Sequence, residues 1–140
     1  MINFNPRIAE ILTRDQRFAY EAYEFVFQAL DYTQKMLGRQ PPPNANPAEL
    51  AADARHHVKG TELLDGIRAL ALLEFGLMAR TVFHMWGVRS TEDFGRIVFN
   101  LVEAELLSKT DGDTLADFRD AFDFDKDLVQ GYRIQLDEAR

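Results

Sequence analysis

Apolar positions recur three and four residues apart along most of this chain, the spacing that lines one face of an α-helix. Asn5-Pro6 pairs a capping side chain with proline at the first helical position and predicts a short helix ending near Thr13. Asp15 is the expected cap of a long second helix that runs to Leu37 and stops at Gly38. Its stripe is Phe18, Ala22, Phe25, Val26, Ala29, Leu30, Thr33, Met36 and Leu37. Tyr20, Tyr23, Phe27 and Tyr32 lie off that stripe and give the helix more apolar surface than one core face takes up. Residues 38–47, GRQPPPNANP, exclude helix and favour an extended stretch. The residues before it are too few for a core of their own, so it reads as an internal loop and not as a domain linker.

Asn46-Pro47 repeats the cap-plus-proline pattern and opens a third helix toward His56. Gly60 and Thr61 start a fourth that reads to Phe75, apolar around most of its circumference and therefore central, with Gly66 marking a close helix crossing. Leu77–Trp86 forms a fifth, closed by Gly87, and Ser90-Thr91-Glu92-Asp93 opens a sixth to about Leu107. Thr110-Asp111-Gly112-Asp113 is a turn; Asp113 then caps a short helix through Phe122, and an aromatic tail of Phe122, Phe124 and Tyr132 covers the bundle. The chain thus reads as one all-α domain, residues 1–140, of six to seven helices. The alternative is a winged-helix-like α+β domain whose wing is the 106–118 segment. Eleven Phe, four Tyr and one Trp suit helices that cross at large angles better than a slender coiled coil.

Composition narrows the chemistry. With no cysteine, disulfides, thiol nucleophiles, Fe–S clusters and Cys-based zinc sites are excluded together. A net charge of −7 opposes a general nucleic-acid or anionic-membrane binder. The longest purely apolar run, Ala69–Leu73, is far short of the ~18–20 residues that span a bilayer, and residues 1–12 interrupt any secretory pattern, so a cytoplasmic protein is expected.

Catalytic and metal motifs are missing. No HExxH, GxSxG, GxGxxG or GxxxxGK[ST] occurs. His56 and His57 are adjacent and so point about 100° apart on a helix; a metal held by His57, His84 and Glu62 would need distant residues to converge. Asp123-Phe124-Asp125-Lys126-Asp127 starts like a calcium loop, but Leu128 stands where the turn needs glycine and Ile134 where a bidentate glutamate is needed. No metal, cofactor or catalytic residue is assigned, and the chain reads as a non-enzyme.

Helices five and six, joined by Gly87-Val88-Arg89-Ser90, have the outline of a helix-turn-helix. Glu92, Asp93, Glu103 and Glu105 against Arg96 alone would repel a phosphate backbone, so nucleic acid is not the expected partner unless Arg68, Arg80, Arg89 and Arg96 converge on one face. Arg68, Arg80, His84 and Trp86 form the best candidate binding surface, a small cationic and aromatic set; if they line a pocket between helices, it would take a small anionic ligand or a metal. Tyr20, Tyr23 and Phe27 are the candidate self-association face, because a second copy is the simplest cover for surplus aromatics.

His57–Arg68 (HVKGTELLDGIR), Phe75–Val82 (FGLMARTV), Trp86-Gly87-Val88, Thr91–Gly95 (TEDFG) and Ile97–Leu101 (IVFNL) carry a resemblance to a small family of uncharacterised bacterial proteins of planctomycete and verrucomicrobial type. It extends over residues 7–134. The resemblance implies a compact bacterial cytosolic protein and brings no catalytic residue or cofactor. A non-enzymatic interaction protein that associates with itself is the expected function.

Overall fold

In the computed structural model, which describes residues 5–38 and 58–107 and, beyond them, Phe118, Asp123, Phe124, Lys126 and Leu128, every regular element is helical. Helix α1, Pro6–Arg14, starts as its sequence predicts, with the Asn5 side chain accepting from the Arg7 N–H at 2.9 Å. Helix α2, Tyr20–Leu37, closes on Gly38, whose N–H donates to the carbonyls of Gln34 and Lys35. Helix α3, Gly60–Phe75, begins with the Glu62 carboxylate accepting from the Lys59 N–H at 3.0 Å. A 3₁₀ turn, Gly76–Met78, leads into the short α4, Ala79–Met85, and α5 follows at Thr91–Glu103.

The fifth predicted helix starts at Ala79 and not Leu77, because Gly76–Met78 forms the 3₁₀ turn, and two other boundaries differ by more, each for a local reason. α2 begins at Tyr20 and not after Asp15, because residues 15–19 are held off a helical path: the Ala19 N–H donates to the Trp86 carbonyl at 3.0 Å. α5 stops at Glu103, short of Leu107. There the Glu105 N–H donates to Val102 at 3.0 Å and the Leu106 N–H to Leu101 at 2.9 Å, the paired bonds of a Schellman ending. Glu105 takes the left-handed position of that ending, at φ 62°, where glycine is the usual residue.

The core is built where α2 and α3 cross. Phe25 stacks near Phe75 at 5.7 Å between ring centres, while Thr33 faces Gly66, so the two helices run antiparallel. A Cβ on Gly66 would overlap Thr33 Oγ1, so the missing side chain sets how closely the helices approach. Val26 and Ala29 of α2 and Leu64, Ile67 and Ala71 of α3 are buried there, and Phe94, Ile97 and Leu101 of α5 and Ile8 and Ile11 of α1 complete the packing. Each large side chain taken out of water is worth about 1.5–3 kcal/mol. This agrees with the expectation that the second, fourth and sixth predicted helices supply most of the core.

The far segment docks on the same core. The buried Thr91 hydroxyl donates to the Phe118 carbonyl, and Phe124 packs against Phe83 at 5.5 Å. The expected helix toward His56, the turn at 110–113, the helix from Asp113, Phe122 and Tyr132 lie outside the described residues. So does most of the 106–118 segment on which the winged-helix alternative rests, and no strand occurs among the described residues.

Two substitutions test these boundaries. Gly66→Ala gains about 1 kcal/mol of helix propensity but loses ~1–3 kcal/mol to overpacking against Thr33. Urea denaturation of the four proteins of a double-mutant cycle with Thr33→Ala should show the cost falling by at least ~1 kcal/mol once the Thr33 hydroxyl is gone. Glu105→Gly should stabilise by about 1 kcal/mol, since glycine takes φ > 0 without strain and a carboxylate beside a helix C-terminus is lost. Unchanged or lower stability would mean that the Schellman ending is not what positions Glu105.

Candidate functional site

Asp15 follows α1 directly, and its carboxylate gathers donors from two directions. The Arg17 N–H, Nε and Nη2 donate at 3.0, 2.9 and 2.7 Å, and Asn100 Nδ2 of α5 donates at 2.9 Å. The same Asn100 amide donates to the hydroxyl of Tyr23 of α2 at 3.0 Å. The half-buried Asp15 carboxylate therefore ties the α1–α2 link to α5, and the Asn100 amide ties α5 to α2. The Arg17 guanidinium also lies 5.3 Å from the centre of the Phe18 ring.

The electrostatics follow from these contacts. The side-chain hydrogen bonds from Arg17 hold the Asp15 carboxyl far below the usual carboxylate range, against the opposing effect of partial burial. Burial pushes the Tyr23 phenol up, although the Asn100 hydrogen bond works the other way. Asp15 hydrogen bonding raises the Arg17 guanidinium. Neither the carboxyl nor the phenol exchanges a proton near neutral pH, so this network positions helices and is not suited to acid–base chemistry.

Above it, the turn after α4 closes against the same link. A Cβ on Gly87 would overlap the Arg17 carbonyl oxygen, and its φ of +85° strains any other residue. That close approach places Trp86 in a ring cluster with Phe25 at 5.5 Å, Phe75 at 5.8 Å and Phe83 at 5.9 Å.

The sequence-predicted binding set divides accordingly. Trp86 is a half-buried member of this cluster, with ring neighbours on α2, α3 and α4, and so contributes to the core. Arg80 and His84 stand one turn apart on α4, both exposed, with the His84 ring 6.4 Å from that of Phe124. Arg68 is half-buried on α3. α4, the turn and α5 follow one another in the order read from the sequence, and Arg96 donates to Asp93 at 2.7 Å and to Glu92 at 2.9 Å, so its charge is matched within α5.

The self-association set changes more. Tyr23 is fully buried in its own chain, which removes it from any face the folded chain can offer a partner. The Tyr20 hydroxyl accepts from the Asn5 N–H at 2.6 Å, and Phe27 is half-buried against the core. α2 packs against α1, α3 and α5 and so has more than one buried side, which takes in Tyr23 fully and Tyr20, Phe27 and Tyr32 in part.

The exposed large apolar side chains among the described residues are Met36 and Leu37, which end α2 and leave the stripe expected of them, and a larger set along α3, the 3₁₀ turn and α4. Leu73 is 72% exposed, Leu77 43%, Met78 57% and Met85 77%. Sequence reading took the 60–75 helix, Leu73 included, as apolar around most of its circumference, and gave the others no outward role. Leu72 and Leu73 point about 100° apart, and Leu72 takes the inward place. The available signal was the surplus of apolar residues over what a short helix can bury.

Among the described residues no three His, Cys, Asp or Glu side chains are placed to hold a metal ion; His57 lies outside them. No described helix is long and apolar enough to cross a membrane. Comparison with protein families, curated proteins and solved structures finds no match to this chain.

The network around Asp15 fixes an acid dependence. In the unfolded chain Asp15 takes up a proton around its ordinary value of 3.8, while the folded site keeps it ionised to lower pH. Its contribution is therefore complete above that value and drains away as pH falls toward the folded pKa. Asp15→Asn should lower stability at pH 7 by about 1.5–3 kcal/mol, the worth of hydrogen bonds to a charged group. Between about pH 4 and pH 2 the variant's stability should decline less steeply than that of the wild type, and parallel curves would exclude Asp15 as the titrating group.

Proposed function

We propose that this chain is a non-enzymatic interaction protein that associates with itself through the elbow of α3 and α4. The observation that carries the reading is the exposure of Leu73, Leu77, Met78 and Met85 around one bend. Side chains of that kind are ordinarily withdrawn from water, and four of them exposed between residues 73 and 85 mark a docking surface. Charge supports a second copy as the occupant. Leu77–Ser90 contains no Asp or Glu and carries exposed Arg80 and Arg89, while exposed Glu74 stands beside Leu73, so a two-fold pair can set the carboxylate of one elbow against the arginines of the other. A closed pair also covers both faces at once, whereas a one-sided contact would leave one open.

The same reading treats the chain as a single helical domain of six to seven helices acting in the bacterial cytoplasm, as the family resemblance implies. Arg80 and His84 then form the polar rim of the contact, with Arg68 at the edge of α3. Such a rim gives orientation more than affinity.

Sedimentation velocity from about 1 to 100 μM tests the proposal, spanning the affinities of transient association. The wild type should gain mass with concentration, while Met85→Lys and Leu73→Lys should stay monomeric with unchanged helical circular dichroism. Both side chains are exposed, so neither change should shift folding stability by more than about 0.5 kcal/mol. A wild type that remains a monomer throughout would end the reading.

A further inference from the structure

With no cysteine in the chain, methionine thioethers are its only sulfur. Met36, Met78 and Met85 are all open to solvent, at 69%, 57% and 77% exposure. Methionine is among the residues most often buried, so this placement is unusual. Met78 and Met85 lie seven residues apart, two turns along the same short helical stretch, and so stand on one side of it within the apolar elbow.

We propose that Met78 and Met85 are an oxidisable pair, a modification site for hydroperoxides whose conversion to sulfoxide prevents the elbow from docking. The inference rests on the self-association reading and adds to it a means of control. In the free copy, a sulfur lone pair attacks one oxygen of the peroxide. An S–O bond forms as the O–O bond breaks, and the departing oxygen leaves, with a proton, as water or an alcohol. The thioether gives up two electrons and the peroxide accepts them. A flexible apolar side chain becomes a strongly dipolar one. It is solvated in the free copy, but docking would strip that water without returning a hydrogen-bond donor.

Oxidation should leave the fold intact, because neither thioether belongs to the core. The single tryptophan reports on this directly: Trp86 follows Met85 in sequence, yet its ring packs with Phe25, Phe75 and Phe83. Its emission should change on unfolding and stay constant on surface oxidation.

The experiment treats the full chain with hydrogen peroxide and locates each added oxygen by peptide mass. Self-association is then measured for the wild type, for Met78→Leu with Met85→Leu, and for Met36→Leu. In the wild type and in Met36→Leu, sulfoxide at Met78 and Met85 should weaken association about tenfold or more, with Trp86 emission unchanged and recovery after methionine sulfoxide reductase. The double leucine variant should associate before and after peroxide alike. Undiminished association of wild type carrying both sulfoxides overturns the proposal, and so does equal loss in the double leucine variant. A wild type and a leucine variant that are both monomeric before treatment overturn the docking reading and, with it, the control. The oxidisable pair is then judged on peptide masses alone: oxidation more than about tenfold slower than that of free methionine overturns it as well.

Discussion

The close approach of the α1–α2 link to the turn after α4 is the constraint on which the other contacts depend. Gly87 lets the Arg17 carbonyl come to a distance that no side chain would permit, and the Ala19 N–H reaches the Trp86 carbonyl at 3.0 Å. With the link held there, Asp15 faces α5 and meets Asn100, and Asn100 meets Tyr23. A tyrosine hydroxyl buried among apolar residues would be costly without a partner, so the amide that joins it to Asp15 permits Tyr23 to be a core residue. The delayed start of α2 follows from the same cause. Asp15 is a good capping residue by type, but its oxygens are engaged by Arg17 and Asn100, and Ala19 occupies the cap position without a side-chain bond.

Two glycines set the spacing of the structure in different ways. Gly66 acts through size, bringing α2 and α3 together at Thr33, whose hydroxyl donates to the Ala29 carbonyl within α2 at 2.6 Å and so needs nothing from α3. Gly87 acts through size and backbone conformation together. Between these two points run Phe25, Phe75, Phe83 and Trp86, which convert an antiparallel helix pair into a core with a third side.

Much of this was legible in the sequence. Asn5-Pro6, Gly38 and the 60–75 apolar run gave helix boundaries that the structure keeps within a residue or so, and Gly66 was read correctly as a crossing. The misplaced boundaries, Asp15 and Leu107, share one feature: tertiary or backbone contacts there override local preference. Nothing in residues 15–19 says that a carbonyl more than sixty positions away will claim the Ala19 N–H. The candidate site was harder to read. Trp86 beside Arg80 and His84 suggested a pocket wall, but position along a short helix does not reveal which ring faces inward. Tyr23 lay off the principal stripe of α2, and a stripe assumes one buried side; a helix packed against α1, α3 and α5 has more than one. Leu73 failed in the opposite direction, since an apolar circumference does not say which of two adjacent leucines the core can accommodate.

The same reasoning explains why the larger open apolar set lies at the elbow. An isolated helix shorter than about 12–15 residues is marginal in water, so α4, Ala79–Met85, depends on tertiary packing for its order. Only Ala79 and Phe83 point fully inward from it. Its C-terminal end is fixed by the Trp86 ring cluster and by the Val88 N–H, which donates to the Phe83 carbonyl at 2.8 Å. Fixing so short a helix at its inner face and its end leaves, among the described residues, no second apolar layer above it. Met78 and Met85 therefore stand on the outside of a helix that is fixed at its inner face and its end. A flexible loop bearing the same side chains would have more conformational entropy to lose on any contact.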